Sequence, residues 1–121
     1  EMIVEKNKET DDIIINGLHL EGKLCIESTK CVKIFNSTFC KSNQSGIRVY
    51  DSREIELNQI ECFDNEWNGI GFRNSKDCIV KQVNCYSNNL SGIVCFGSNN
   101  IRMKQCRCNS NAQHGIYCDN K

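Results

Sequence analysis

The sequence predicts an all-β chain wound as a right-handed three-sided parallel β-helix, a β-solenoid with 23-residue coils. Three observations predict this fold class. One dipeptide recurs at a fixed interval, apolar and polar residues alternate within each interval, and polar residues gather where the alternation breaks. The recurring Gly-Ile pairs begin at Gly46, Gly69, Gly92 and Gly115, each 23 residues after the previous one.

Other residue types keep the same interval. The 23-residue step aligns asparagine with asparagine and cysteine with cysteine over three consecutive coils, which chance does not explain. Asparagine tolerates the left-handed backbone of a corner, and its amide can bond the asparagine above and below it. We therefore interpret the asparagines as a stacked column that stabilises the corners of the coils rather than as ligands. The aligned positions are Cys62, Cys85 and Cys108, and Asn65, Asn88 and Asn111.

Each coil contains three short strands. In residues 46–68, pairs of apolar residues two apart flank charged or polar residues, as in a strand with one buried face. Three such strands cannot bury their apolar side chains alone. Each must therefore pair in parallel with its copy in the next coil, about 4.8 Å away. The apolar pairs are Ile47 and Val49, Ile55 and Leu57, and Ile60 and Cys62.

The beginning of the chain is less regular. We predict that residues 1–12 are a charged lead-in and that residues 13–121 are a β-helix domain belonging to a longer solenoid. Residues 13–20 indicate a shorter turn, about 19 residues from the next one. The segment 36–40 is interpreted as running one place late, with one residue lost before Gly46.

Charge and hydropathy argue against two classes of partner. The 121 residues carry 15 basic and 15 acidic side chains, a formal net charge of +0. This balance argues against a nucleic-acid binder that works through bulk electrostatics and against a polybasic membrane-surface segment. No apolar run approaches the ~18 residues of a membrane span. We therefore expect no nucleic-acid partner and no membrane partner.

Ten cysteines are unusual in a chain of this length. They would ordinarily suggest a disulfide framework. Most of them, however, occupy positions where other coils carry isoleucine, valine, phenylalanine or methionine, so we interpret them as small buried hydrophobes. Stacked neighbours also point their Cβ atoms in parallel, which suits a disulfide poorly. We expect free thiols and hence a reducing, intracellular location.

The same residues do not predict a metal or cofactor site. A zinc site needs turns that gather four ligands, and the two histidines, His19 and His114, lie outside the inward positions. Cys106 and Cys108 are two residues apart but belong to the expected core. A catalytic cysteine needs exposure and a nearby base, and the spacing supplies no clear pair. We predict no metal and no cofactor.

One motif carries a family resemblance. Residues 65–72 read N-x-x-x-x-G-I-x-hydrophobic and resemble the parallel β-helix repeat of NosD-like proteins and of carbohydrate-binding and sugar-hydrolase domains, within the pectate-lyase-like superfamily. The resemblance covers about residues 24–121 and implies the fold. Members include pectin-active hydrolases and lyases, alginate epimerases, phage tailspikes, a copper-maturation protein and some F-box proteins. The resemblance therefore implies no particular activity.

The acidic residues do not predict a catalytic site. Glycoside hydrolysis needs two carboxylates, about 5–5.5 Å apart for retention or about 6.5–9.5 Å apart for inversion. Among the outward positions only Glu27, with Asp51 at the following corner, could form such a pair. We therefore predict no catalytic residue and a non-catalytic domain. The alternative is a fragment of a polysaccharide lyase, glycoside hydrolase or epimerase whose catalytic carboxylates are weak or missing here.

The outward positions favour binding instead. Aromatic rings pack against sugar rings, and arginine forks onto a carboxylate or sulfate. The same side chains would also serve as a cross-strand stack or as a contact with another domain. We predict a binding or scaffold domain that presents this face to a protein or polysaccharide partner, with end-to-end self-association through open strand edges. The candidate residues are Arg48, Tyr50, Trp67, Arg73, Phe96 and Tyr117.

Overall fold

The structure is a computed structural model that describes residues 1–5 and 12–119. Every regular element within these ranges is a β-strand. The strands are β1 (Met2–Glu5), β2 (Ile13–Asn16), β3 (His19–Glu21), β4 (Leu24–Glu27), β5 (Lys30–Cys40), β6 (Ile47–Tyr50), β7 (Arg53–Phe63), β8 (Ile70–Arg73), β9 (Lys76–Tyr86), β10 (Ile93–Phe96), β11 (Asn99–Lys104), β12 (Arg107–Asn109) and β13 (Ile116–Asp119).

These strands form two parallel sheets that wind around one core. The six-stranded sheet has the order β1-β4-β6-β8-β10-β13, and the seven-stranded sheet has the order β11-β9-β7-β5-β2, with β12 on β9 and β3 on β5. Ile47 pairs with Ile70, Ile70 with Ile93 and Ile93 with Ile116. Each step is one 23-residue coil, so the predicted parallel β-solenoid is confirmed.

The three sides of each coil come from two sheets because the long strands bend. Gln59 and Gln82 have φ angles of 58° and 53°, in the left-handed region, at the middle of β7 and β9. The sequence separated the second and third strands of each coil. The structure joins them into one bent strand of 11 residues in β5, β7 and β9, and keeps them apart in the coils of β2 and β3 and of β11 and β12. The coil 47–69 has further left-handed corners at Asp51, Glu54 and Asp64. Such φ values cost energy, and the hydrogen bonds to neighbouring coils maintain them.

The core lies inside the coils, where the predicted inward residues meet. Phe39, Leu57 and Phe72 are fully buried. Burying a side chain of this size contributes about 1.5–3 kcal/mol relative to leaving it exposed. Cys62 and Cys85 lie among these residues, and all ten cysteines are free in the structure.

The first coil differs from the sequence prediction at its start. β1 pairs with β4, with Met2 opposite Leu24, so residues 2–5 extend the six-stranded sheet although the sequence assigned them to the lead-in. Lead-in residues 6–11 lie outside the described residues. The shorter turn is confirmed, because Ile13 pairs with Val32, 19 residues later.

The predicted irregularity at residues 36–40 was wrong. Ser37 lies opposite Ile60 and Phe39 opposite Cys62, so the 23-residue register continues without a shift. Ser37 is 3% exposed, at an inward position that carries isoleucine in the next coil. Its hydroxyl donates to the carbonyl of Phe35 (2.8 Å) and accepts from the amide of Leu18 (3.0 Å). The polar side chain is tolerated in the core because both hydrogen bonds are satisfied.

Candidate functional site

The candidate site lies on the outer surface of the six-stranded sheet. Successive residues of a strand point to opposite sides, so each strand projects two side chains outward from the core. The register aligns these outward side chains from coil to coil. We call the six predicted residues the binding face. Arg48 and Tyr50 lie on β6, Arg73 on β8, Phe96 on β10, Tyr117 on β13, and Trp67 in the corner before β8.

One half of the binding face is cationic. The guanidinium carbon of Arg48 lies over the Tyr50 ring, 4.2 Å from its centroid, and that of Arg73 lies 5.0 Å from the same centroid. Each such contact is worth about 0.5–1 kcal/mol at an exposed site. Tyr50 therefore holds two guanidinium groups together on adjacent strands.

Hydrogen bonds fix Arg48 within this half. Its Nη2 pairs with Oε1 of Glu27 (3.2 Å), and its Nη1 donates to Oε1 of Gln44 (3.4 Å). Gln44 Oε1 also accepts from Lys23 Nζ (2.6 Å). Lys23 in turn bonds the Glu1 carboxylate at 3.2 Å and holds the pKa of that carboxyl below its usual value. The sequence prediction missed Lys23 and Gln44, because neither repeats in the neighbouring coils.

The other half of the binding face is aromatic. The rings of Phe96 and Tyr117 have centroids 5.9 Å apart, and the His114 ring stacks on Tyr117 at 5.2 Å. Phe96 is 37% exposed and Tyr117 is 40% exposed. His114 was not predicted as a site residue, although its position directly before the Gly115 corner places it at this edge of the sheet.

Trp67 stands apart from both halves. It is 43% exposed, and its backbone is fixed in the corner by hydrogen bonds with Gln44 and Leu90. In the described part of the chain, no ring stacking or cation–π contact links its indole to another side chain. The structure thus brings five of the six predicted residues onto one sheet and leaves Trp67 at its border.

The acidic residues have separate partners. Glu27 forms the ion pair with Arg48, and Oδ1 of Asp51 accepts a hydrogen bond from Nδ2 of Asn74 (2.7 Å). Among the described residues, no cluster of three or more histidine, cysteine, aspartate or glutamate side chains has a metal-binding arrangement. The described ranges also contain no helix with the length and hydropathy to cross a bilayer.

A second pair of rings lies on the seven-stranded sheet. Phe63 and Tyr86 stack face to face, with centroids 5.0 Å apart and planes 3° from parallel. The Tyr86 hydroxyl donates to Oε1 of Glu61 (3.1 Å). Burial and this hydrogen bond raise the pKa of Tyr86. Because the two rings cover each other, they expose less free surface than Phe96 and Tyr117.

The repeat geometry agrees with a known family. A family model described as the right handed beta helix region matches residues 8–121. The chain belongs to this right-handed β-helix family. No significant match is found among curated proteins.

Solved structures share the β-helix. The enzymatically active domain of tailspike protein 2 from bacteriophage CBA120 has a TM-score of 0.70 at 18% identity, over 92% of this chain and 20% of that chain. Full-length tailspike protein 2 from an Escherichia coli O157:H7 bacteriophage has a TM-score of 0.68 at 20% identity, over 73% and 14%. A periplasmic alginate epimerase has a TM-score of 0.53 at 13% identity, over 97% and 38%.

These similarities concern the fold. The identities are 20% or less, and this chain covers only 14–38% of the length of the three compared chains. What those proteins do therefore depends on surfaces and segments that the shared coils do not determine.

Proposed function

We propose that this right-handed β-helix protein binds an extended polysaccharide along the outer face of its six-stranded sheet, without cleaving it. The observation that supports this most is the continuity of the face. The Arg48, Tyr50 and Arg73 group and the Phe96 and Tyr117 pair occupy four adjacent strands, β6, β8, β10 and β13.

The aromatic half provides a platform for sugar rings. Phe96 and Tyr117 present partly exposed rings on a sheet. Binding a sugar against them would therefore lose little side-chain conformational entropy. The apolar faces of sugar rings bury well against such rings, and the Tyr117 hydroxyl adds a polar group.

The cationic half provides polar recognition. Arg73 forms no ion pair among the described residues, and its contact with Tyr50 positions a guanidinium at the surface. A guanidinium offers several N–H donors in one plane, which fit a carboxylate or neighbouring hydroxyl groups. A chain that crosses the strands would meet this group on one side and the rings on the other.

The similar structures support a polysaccharide as the partner. One is an epimerase of alginate, a polysaccharide, and another is the enzymatically active domain of a tailspike. The non-catalytic part of the proposal is supported by the partners of Glu27 and Asp51, because Glu27 is ion-paired with Arg48 and Asp51 accepts a hydrogen bond from Asn74. Glycosidic cleavage by paired carboxylates requires a facing pair.

The test is a binding titration over polygalacturonate, alginate and dextran. We expect one of them to bind, and the double variant Phe96→Ala/Tyr117→Ala to weaken that binding about tenfold or more. Phe63→Ala, which removes a ring from the other sheet, is the matched control and should bind as the wild type does. Absence of binding to all three polymers, or an equal loss in the control, would contradict the proposal.

Catalysis and other partners are tested in parallel. Unsaturated-product absorbance and reducing-end release should stay at background with each polymer. Activity that Asp51→Asn removes would instead favour the enzyme alternative. A protein partner captured through the same face, with no polysaccharide bound, would favour a scaffold. End-to-end self-association stays a prediction.

A further inference from the structure

The bends of the long strands divide the outer surface of the seven-stranded sheet into two parts. We call the part after the bend, formed by the second halves of β7 and β9 and by β12, the lateral face. It belongs to a different sheet from the binding face. The register aligns its outward residues in two columns across three coils, one of Glu61, Asn84 and Arg107 and the other of Phe63, Tyr86 and Asn109.

The first column carries opposite charges at its two ends. Glu61 lies one coil before Asn84 and Arg107 lies one coil after it, so their backbones are about 10 Å apart along the solenoid axis. Oε1 of Glu61 accepts a hydrogen bond from the Tyr86 hydroxyl (3.1 Å). Neither Glu61 nor Arg107 forms an ion pair within the described ranges, and both are exposed. An unpaired anion and an unpaired cation therefore lie symmetrically about Asn84.

A third column, along the bend itself, offers side-chain amides. Gln59, Gln82 and Gln105 follow the 23-residue step and are exposed. In the part of the chain that the structure describes, these three amides form no side-chain hydrogen bond. A primary amide carries both donors and an acceptor, so it can pair with another primary amide. A second copy of the chain presents the same three amides at the same interval.

The three columns are complementary to themselves in reverse order. Consider a second copy related by a two-fold axis parallel to β9, above Asn84. In such an isologous contact each residue meets a residue of the same column. Glu61 would lie opposite Arg107 of the second copy, Arg107 opposite its Glu61, and Gln82 opposite its Gln82. Facing sheets lie about 10 Å apart, a gap that a glutamate and an arginine side chain span together.

We propose that the lateral face binds the lateral face of a second copy of this chain in antiparallel orientation, with two reciprocal ion pairs between Glu61 and Arg107. If the two solenoids ran in the same direction, each charge would approach its own counterpart, and such like-charge contacts are strongly unfavourable across an interface. The inference goes beyond the proposed function, because the contact leaves the six-stranded sheet uncovered.

The part of the same sheet before the bend suits this contact less well. It has a similar column of Glu56, Ile79 and Arg102, and Ile79 is 44% exposed. The next outward column, however, carries Lys81 at its middle coil. The same two-fold axis would place this lysine against Lys81 of the second copy. The outward side chains at the middle coil of the lateral face are uncharged, so no such repulsion arises there.

The size of the face predicts a weak dimer. Its columns extend over three coils, about 10 Å from the first to the last. Interfaces that bury less than about 1,200 Å² are typical of transient encounters rather than of obligate dimers. We therefore expect a dissociation constant of about 0.1–1 mM.

The test is a charge exchange followed by sedimentation equilibrium up to about 1 mM protein. Glu61→Arg and Arg107→Glu each create two like-charge contacts, and each should weaken dimerisation at least about tenfold. The double variant Glu61→Arg/Arg107→Glu restores opposite charges and should dimerise as the wild type does. An equimolar mixture of the two single variants should form a one-to-one heterodimer, because every facing pair is then oppositely charged.

The matched controls make the same changes before the bend, on the same coils. Glu56→Arg and Arg102→Glu should leave dimerisation unchanged. A loss of dimerisation in these controls that equals or exceeds the loss in the lateral-face variants would overturn the inference. Unchanged urea midpoints show that the exposed substitutions leave the fold intact.

The remaining outcomes are equally decisive. A wild-type chain that stays monomeric throughout the series would overturn the inference. So would single variants that weaken dimerisation without recovery in the double variant and in the mixture. Association that ignores all four charges, as expected for contact between the ends of two solenoids, would also overturn it. None of these results touches the proposed function, because Phe96→Ala/Tyr117→Ala should lose polysaccharide binding and still dimerise.

Discussion

The side-chain amide of Asn65 donates a hydrogen bond to Oδ1 of Asn88, 3.0 Å away in the next coil. Asn88 repeats the contact with Asn111 at 2.9 Å, and its amide also donates to the carbonyl of Cys62 at 3.2 Å. Asn65 and Asn88 are 1% and 2% exposed. Their hydrogen bonds therefore join successive coils at a buried corner.

Replacing Asn88 with alanine should lower the free energy of unfolding by about 3 kcal/mol. The substitution leaves the amide groups of Asn65 and the carbonyl of Cys62 without their buried partner, and each loss costs about 1–3 kcal/mol. Urea unfolding measures the change. Asn89→Ala removes an exposed amide one residue later and should change stability by less than about 0.5 kcal/mol. Equal effects of the two variants would contradict this role of Asn88.

Replacing two neighbouring glycines, Gly69 in the corner before β8 and Gly71 on β8, with alanine should have different effects on stability. A Cβ at Gly69 would lie 2.7 Å from the carbonyl oxygen of Gly92 and 2.9 Å from Sγ of Cys85, so the backbone would have to move. We expect Gly69→Ala to cost about 2 kcal/mol or more. At Gly71 the nearest atom is Cγ2 of Val94 at 3.6 Å, an ordinary contact. Gly71→Ala should fold with near wild-type stability, and a large loss there would refute the predicted spacing of the coils.

Alkaline pH should destabilise the fold through a buried thiol. Burial raises the pKa of Cys78 to about 11, above the ordinary thiol value of 9.0. Between these values the unfolded chain loses the proton and the folded chain keeps it, so stability falls as pH rises from 9 towards 11. The contribution of Cys78 is about 2 kcal/mol. Urea midpoints at pH 8 and 10.5 measure it, and Cys78→Val should reduce the difference. An unchanged difference in that variant would contradict the assignment to Cys78.

The thiols also test the compartment expected from the sequence. We propose that all ten cysteines are reduced in the cell, as they are free in the structure. Protein purified without reductant and then denatured should show ten reactive thiols per chain. In the native state the exposed Cys118 should react faster than the fully buried Cys85. A denatured titration near zero would contradict both free thiols and an intracellular location.

The 23-residue interval predicted the fold and the orientation of side chains, because register in a parallel solenoid is set by the repeat itself. Arg48, Tyr50, Arg73, Phe96 and Tyr117 were assigned correctly to one outer surface for that reason. Apolar pattern alone could not place Ser37, because its inward position depends on two hydrogen bonds rather than on hydrophobicity.

Another feature was beyond the repeat pattern. Trp67 lies in the corner before β8, outside the strand register that aligns the other candidate residues, so the repeat did not predict which side chains it contacts.

The most direct measurement is a chemical-shift map of the isotopically labelled chain during titration with an alginate oligosaccharide. Binding to the proposed face predicts that the largest amide shifts cluster on β6, β8, β10 and β13, at residues such as Tyr50, Arg73 and Phe96. Shifts that cluster instead around Glu61 and Tyr86 on the seven-stranded sheet would place the ligand elsewhere and contradict the assignment of the face.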